Sequence, residues 1–145
     1  MITRLRLQPL SVNKKPVNPI IGIILLLVSI ILSIITLPLG IIWGIIYTIY
    51  KKSIQGLGEY CLEIAISIDQ LGNVIMQHLL NLIWITKKSE NKFGNRDETI
   101  SSVLGKNKRD NTLTRFGIGI ANLLDSIDEN HVLNSIDYHI EPVID

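Results

Sequence analysis

Acidic residues are missing from the first 52 positions of this chain, where Arg4, Arg6, Lys14, Lys15, Lys51 and Lys52 carry all the charge. Charge of either sign is missing from Pro16 to Tyr50. Cysteine occurs once, at Cys61, which excludes an intramolecular disulfide and a cysteine-rich metal framework. A phosphate loop, a dinucleotide fingerprint, a serine nucleophile elbow and a Cys–His signature are all absent, so the sequence implies no cofactor and no enzyme. The net charge of +1 lacks the concentrated basic face that nucleic acid requires. The 145 residues suffice for one small domain.

The basic charge flanks the apolar run, whereas residues 89–145 carry six Lys and Arg against ten Asp and Glu. Cationic flanks beside a membrane segment stay on the cytoplasmic side, where anionic lipid attracts them. About 18 consecutive apolar residues suffice for a lipid-embedded helix, and Ile20–Tyr50 is longer than that. Its length, and the lack of a small-x-small site after it, argue against a cleavable signal. The division expected is a basic tail over 1–19, a membrane segment over 20–50 broken at 38–40, an amphipathic helix over 59–88 and a small helical domain over 89–145.

Ile20–Leu37 crosses a bilayer alone, at about 27 Å for a 1.5 Å rise per residue. Pro38-Leu39-Gly40 then interrupts the helical pattern. Three arrangements stay open: one kinked helix, a membrane hairpin, or a span followed by an interfacial segment holding Trp43, Tyr47 and Tyr50. Gly40 with Gly44, and Ser29 with Ser33, have the four-residue spacing that lets helix backbones approach in lipid, so they are the helix-association candidates.

Ser53–Gly58 contains two glycines and breaks the pattern. From Glu59 onward, Glu59, Glu63, Ser67, Gln70, Asn73, Gln77 and Asn81 recur at helical spacing as one narrow polar stripe. The rest of that helix is apolar, and Lys87 and Lys88 close it. Such a helix lies in the membrane surface, lines an oligomer, or packs its stripe on the C-terminal domain. Ser89–Asp97 reads as a loop. A short helix follows, begun by Asp97 or Thr99 and ended by Gly105, with Lys106–Asp110 as a charged turn. Leu113–Ile127 returns to helical period, with Leu113, Phe116, Ile120, Leu123, Leu124 and Ile127 on one face. His131–Tyr138 forms a last short helix with Val132, Ile136 and Leu133 inward, and Pro142 lies near the end. Nothing reads as a strand, so the fold class is all-α.

Asp69-Gln70-Leu71-Gly72-Asn73, then Asp97-Glu98-Thr99-Ile100-Ser101-Ser102 with Gly105-Lys106, then Leu124–His131 and Ser135, resemble a family of small uncharacterised proteins of tailed phages and prophages of Gram-negative bacteria. The resemblance spans about residues 64–137. Its marked positions are Asp69, Gln70, Asn73, Asp97, Glu98, Thr99, Ser101, Ser102, Gly105, Lys106 and His131. It implies no activity. Many members carry a cysteine after the histidine, where this chain has Val132, which speaks against a thiol or metal role there.

Asp97 and Glu98 are adjacent and point about 100° apart on a helix, so they do not form an acid–base pair; Asp97 reads as a helix N-cap. Asp125, Asp128, Glu129, His131 and Asp137 lack the spacing of a calcium loop and read as a solvated face. His131, His139 and Asn134 lack paired metal-ligand spacing. The expected protein is thus a non-catalytic phage or prophage membrane protein, without cofactor or metal. It would sit in the host inner membrane and act in lysis, exclusion or DNA entry. Its partners would be the bilayer, a second copy, or a phage or host membrane protein, with no specific nucleic acid. The alternative is a virion structural or interaction protein that oligomerises through an apolar helix.

Overall fold

The computed structural model describes residues 18–140. The basic tail up to residue 17 and the stretch around Pro142 lie outside them. Five helices follow in order: α1 (Pro19–Ile75), α2 (Gln77–Ile83), α3 (Ile100–Arg109), α4 (Arg115–Ile127) and α5 (His131–Asn134). Among the described residues no strand forms; a single antiparallel bridge joins Ile85 and Leu113. The chain divides into two compact units, residues 1–47 and residues 48–145.

The first unit is the apolar half of α1. Pro19 stands at its first position, where a missing N–H costs nothing, and Asn18 Oδ1 accepts the Ile20 amide at 3.0 Å. The hydroxyls of Ser29 and Thr36 donate to the carbonyls of Leu25 and Leu32, each at 2.8 Å. Those bonds hide the polar groups against the helix itself. The break expected at 38–40 is absent. The helix runs through Pro38, and its one non-helical residue is Ser53, at φ 63° and ψ −167°. Proline forfeits a single backbone bond, which a long helix absorbs, and Gly40 continues in helical conformation. A hairpin is therefore not formed. Ser29, Ser33, Gly40 and Gly44 all lie on this continuous helix.

The second unit holds the rest of α1 and everything after it. Its core is Leu80, Ile85, Phe93, Val103, Leu104, Leu113, Ala121 and Val132. Trp84 meets Phe93 edge to face, with ring centroids 6.0 Å apart. The helix expected over 59–88 is interrupted at Met76 and stops at Ile83. Lys87 and Lys88 lie beyond it because Ile85 leaves to pair with Leu113, so they cap nothing.

Thr99, not Asp97, caps α3: its side chain accepts the Ser102 amide at 3.0 Å. Gly105 does not end that helix. It sits inside α3 because a Cβ there would lie 1.9 Å from the carbonyl oxygen of Val132, so α3 and α5 touch backbone to backbone. The helix carries on through Lys106, Lys108 and Arg109, whose charges suit its C-terminal turn. Thr114 caps α4 by accepting the Gly117 amide at 3.1 Å, and a Cβ on Gly117 would meet the Trp84 carbonyl oxygen at 2.2 Å. The inward face of α4 is consequently Gly117 and Ala121, with Ile120 and Leu124 partly buried. Phe116, Leu123 and Ile127 point to solvent, contrary to their expected place. The last helix is shorter than expected, but Val132 and Ile136 are buried as anticipated.

Candidate functional site

The C-terminal part of the polar stripe, from Gln70 to Asn81, faces inward and grips the loop before α3, while Glu59, Glu63 and Ser67 are exposed. Asn73, fully buried, donates from Nδ2 to the carbonyls of Asn95 (2.9 Å) and Glu98 (2.7 Å). Its Oδ1 accepts the Gly94 amide at 2.9 Å. Asn81 pairs twice with the backbone of Phe93, as donor at 2.9 Å and acceptor at 2.8 Å. Gln70 donates to the Asp97 carbonyl at 3.3 Å. Asp69 Oδ2 accepts both the amide (3.2 Å) and the hydroxyl (2.9 Å) of Ser101. A loop without regular structure must place its backbone groups somewhere, and here the side chains of α1 and α2 supply the partners.

Beneath this ladder lies a buried ion pair. Lys106 Nζ stands 2.8 Å from Glu98 Oε1, and both side chains are almost fully buried. Ser102 Oγ donates to the same carboxylate oxygen at 2.6 Å, and Lys106 also donates to the carbonyl of Ile140. Asn107, also fully buried, forms a second hub. It donates to the carbonyls of Asn91 and Val103, each at 2.9 Å, and accepts from the hydroxyls of Ser89 and Thr112. Burying this many polar groups is tolerable because nearly all are bonded.

A cleft of about 690 Å³ opens in this unit, walled by Leu62, Ala65 and Ile66 of α1 and by Ile120 and Leu124 of α4. Asp69, Ser101, Glu98, His131, Ser135 and Asp137 reach its rim. Their polar atoms are engaged structurally: Asp69 holds Ser101, Glu98 holds Lys106, and His131 Nδ1 lies 3.1 Å from Asp128 Oδ2. No serine or carboxylate among them lies in a relay with an imidazole. Among the described residues no group of three or more His, Cys, Asp and Glu is placed to hold a metal ion.

Outside the cleft, Asp125 pairs with Lys108 and accepts the Val132 amide at 3.1 Å. Burial pushes its carboxyl up, but the hydrogen bonds from Lys108 and Val132, with the charges of Lys108 and His131, outweigh that and hold its pKa below the ordinary value. Asp110 is held low chiefly by its hydrogen bond from Arg109; burial opposes this and Asn91 adds to it.

Two of the three stretches marked in the sequence are thus brought together as each other's partners: Asp69, Gln70 and Asn73 on one side, Asp97, Glu98 and Ser101 on the other. Thr99 caps α3, and Ser102 and Lys106 close around Glu98. His131 opens α5 and stands apart from them, beside Asp128. Asn91, Asn107 and Ser89 were invisible as buried polar residues, since asparagine and serine between charges read as turn. Comparison of the chain with protein-family models, with curated proteins and with solved structures finds no match.

Proposed function

We propose that this chain is a phage- or prophage-encoded integral membrane protein without catalytic activity, acting at the host inner membrane in lysis, superinfection exclusion or DNA entry. The observation that carries the membrane reading is the apolar half of α1. It is long and apolar enough to cross a bilayer, and none of its most apolar 18 residues is buried. Isolated exposed apolar residues are ordinary, but a continuous exposed run of isoleucine and leucine is costly in water. In lipid the same helix satisfies its own backbone and needs no protein cover. The phage origin rests on the resemblance over residues 64–137. The non-catalytic reading is supported by the cleft, whose polar groups are engaged in holding the fold.

The test is alkaline carbonate extraction of membranes from cells expressing the protein, with viable counts in parallel. Resistance to extraction with falling viability is the expected result. Release into the soluble fraction without toxicity would overturn it, and would favour the virion protein whose apolar helix is buried between subunits.

A further inference from the structure

The helical stretch that leads to the loop before α3 turns polar side chains inward and leaves an apolar face outside. On the helix leading to the loop, Asn73, Gln77, Leu80 and Asn81 turn inward. Ile68, Leu71, Ile75, Leu79 and Leu82 recur at spacings of three and four on the opposite side. These five are exposed, Ile75 at 69% and Leu82 at 78%. A surface helix in water presents the reverse arrangement.

The charge just beyond this face identifies what covers it. Directly after the helix the chain carries Lys87 and Lys88 against one acid, Glu90. Arg115, at the start of α4, lies where Thr114 donates to the carbonyls of Ile83 and Trp84. Lys87, Lys88 and Arg115 are exposed and make no ion pair among the described residues. Trp84 and Phe116, with ring centroids 6.4 Å apart, stand beside them. An apolar face edged by aromatic rings and unpaired cations matches a bilayer surface bearing anionic headgroups.

We infer that the outward face over residues 68–82 beds into the surface of an anionic bilayer, with Lys87, Lys88 and Arg115 at the headgroups. This rests on the membrane reading above and adds a second, peripheral attachment to the same protein.

The full chain with Cys61→Ser is given one new cysteine at Leu82, or in a second variant at Ile75, and labelled with the fluorophore NBD. Both positions are exposed, so the fold loses no packing. The protein is reconstituted into nanodiscs of phosphatidylcholine and phosphatidylglycerol, which leave both faces open to reagents. Arg96→Cys serves as the water-facing control and Ile31→Cys as the helix control. Labels at 75 and 82 should be quenched by doxyl-labelled lipid and protected from dithionite, as at 31. Bleaching at 75 and 82 as fast as at 96, with 31 protected, would overturn the inference and leave the membrane reading intact. Bleaching at 31 as well would sink both. Protection at 75 and 82 without lipid quenching would mean that protein covers the face, and would also overturn the inference.

Discussion

Gly105 and Val132 meet backbone to backbone: the carbonyl oxygen of Val132 lies 1.9 Å from where a Cβ on Gly105 would begin. In an unconstrained helix, replacing glycine by alanine stabilises by about 0.5–1 kcal/mol. Here the atom in the way is backbone and α5 must shift, so overpacking at about 1–3 kcal/mol or more decides the sign. Gly105→Ala should unfold the second unit at lower temperature. Gly119→Ala, with nothing within 4 Å of its Cβ, should be neutral or slightly stabilising. Fluorescence of Trp84 in a Trp43→Phe background, recorded in detergent during heating, reads both.

Asn73→Ala removes two donors and one acceptor from a buried site, leaving the Glu98 carbonyl and the Gly94 amide without these partners and the Asn95 carbonyl with only the Glu98 amide. At about 1–3 kcal/mol for an unsatisfied buried group, the loss should be about 3 kcal/mol or more. Asn73→Asp should be worse than alanine at neutral pH, because a carboxylate would face two carbonyl oxygens. Denaturant midpoints of the two variants test that order; an alanine variant as stable as the parent would contradict the ladder.

The Glu98–Lys106 pair should behave asymmetrically. Removing one partner, as in Lys106→Met or Glu98→Leu, leaves an uncompensated buried charge and should cost about 3–5 kcal/mol. The double variant discards both charges at once. It still takes the acceptor from the Ser102 hydroxyl proton and the Lys106 donor from the Ile140 carbonyl, so it should not reach the parent, yet it should be more stable than either single variant. A double-mutant cycle on unfolding free energies would expose purely additive losses, which the pairing does not permit.

The helical class and the apolar run were legible because they rest on composition and period alone. Of the two breaks expected, the one at Pro38 and Gly40 is absent because a long helix absorbs one lost bond, whereas Ser53–Gly58 does hold a kink, at Ser53 with its left-handed φ. Gly105 read as a helix end because its reason for being glycine is Val132, 27 residues further on. The polar stripe was legible as a stripe, but not its destination: which groups Asn73 and Asn81 bind is set by a loop whose own residues read only as turn. Asp69, Gln70 and Asn73 meet Asp97, Glu98 and Ser101 in space, which no spacing along the chain could show. Nor could it show that they meet as structural partners.

Acid should loosen the second unit through Asp125. The pKa of that carboxyl is lowered from the ordinary 3.8 in the folded chain, so the folded state holds fewer protons there than the unfolded one once the pH nears that value. Its contribution is complete above the unfolded pKa and is lost as the pH falls through the folded one. The window is therefore below about pH 4, with Asp110 acting in the same sense. Asp125→Asn keeps an oxygen that can accept the Val132 amide but gives up the charge opposite Lys108. It should lower stability at neutral pH and flatten the acid limb, so that the two proteins converge towards pH 2. Because Lys108 is about one-third exposed, solvent screens the pair and the neutral-pH difference should be modest. Unfolding midpoints at pH 2, 3, 4 and 7 decide the matter, and parallel curves for parent and variant would remove Asp125 from the account.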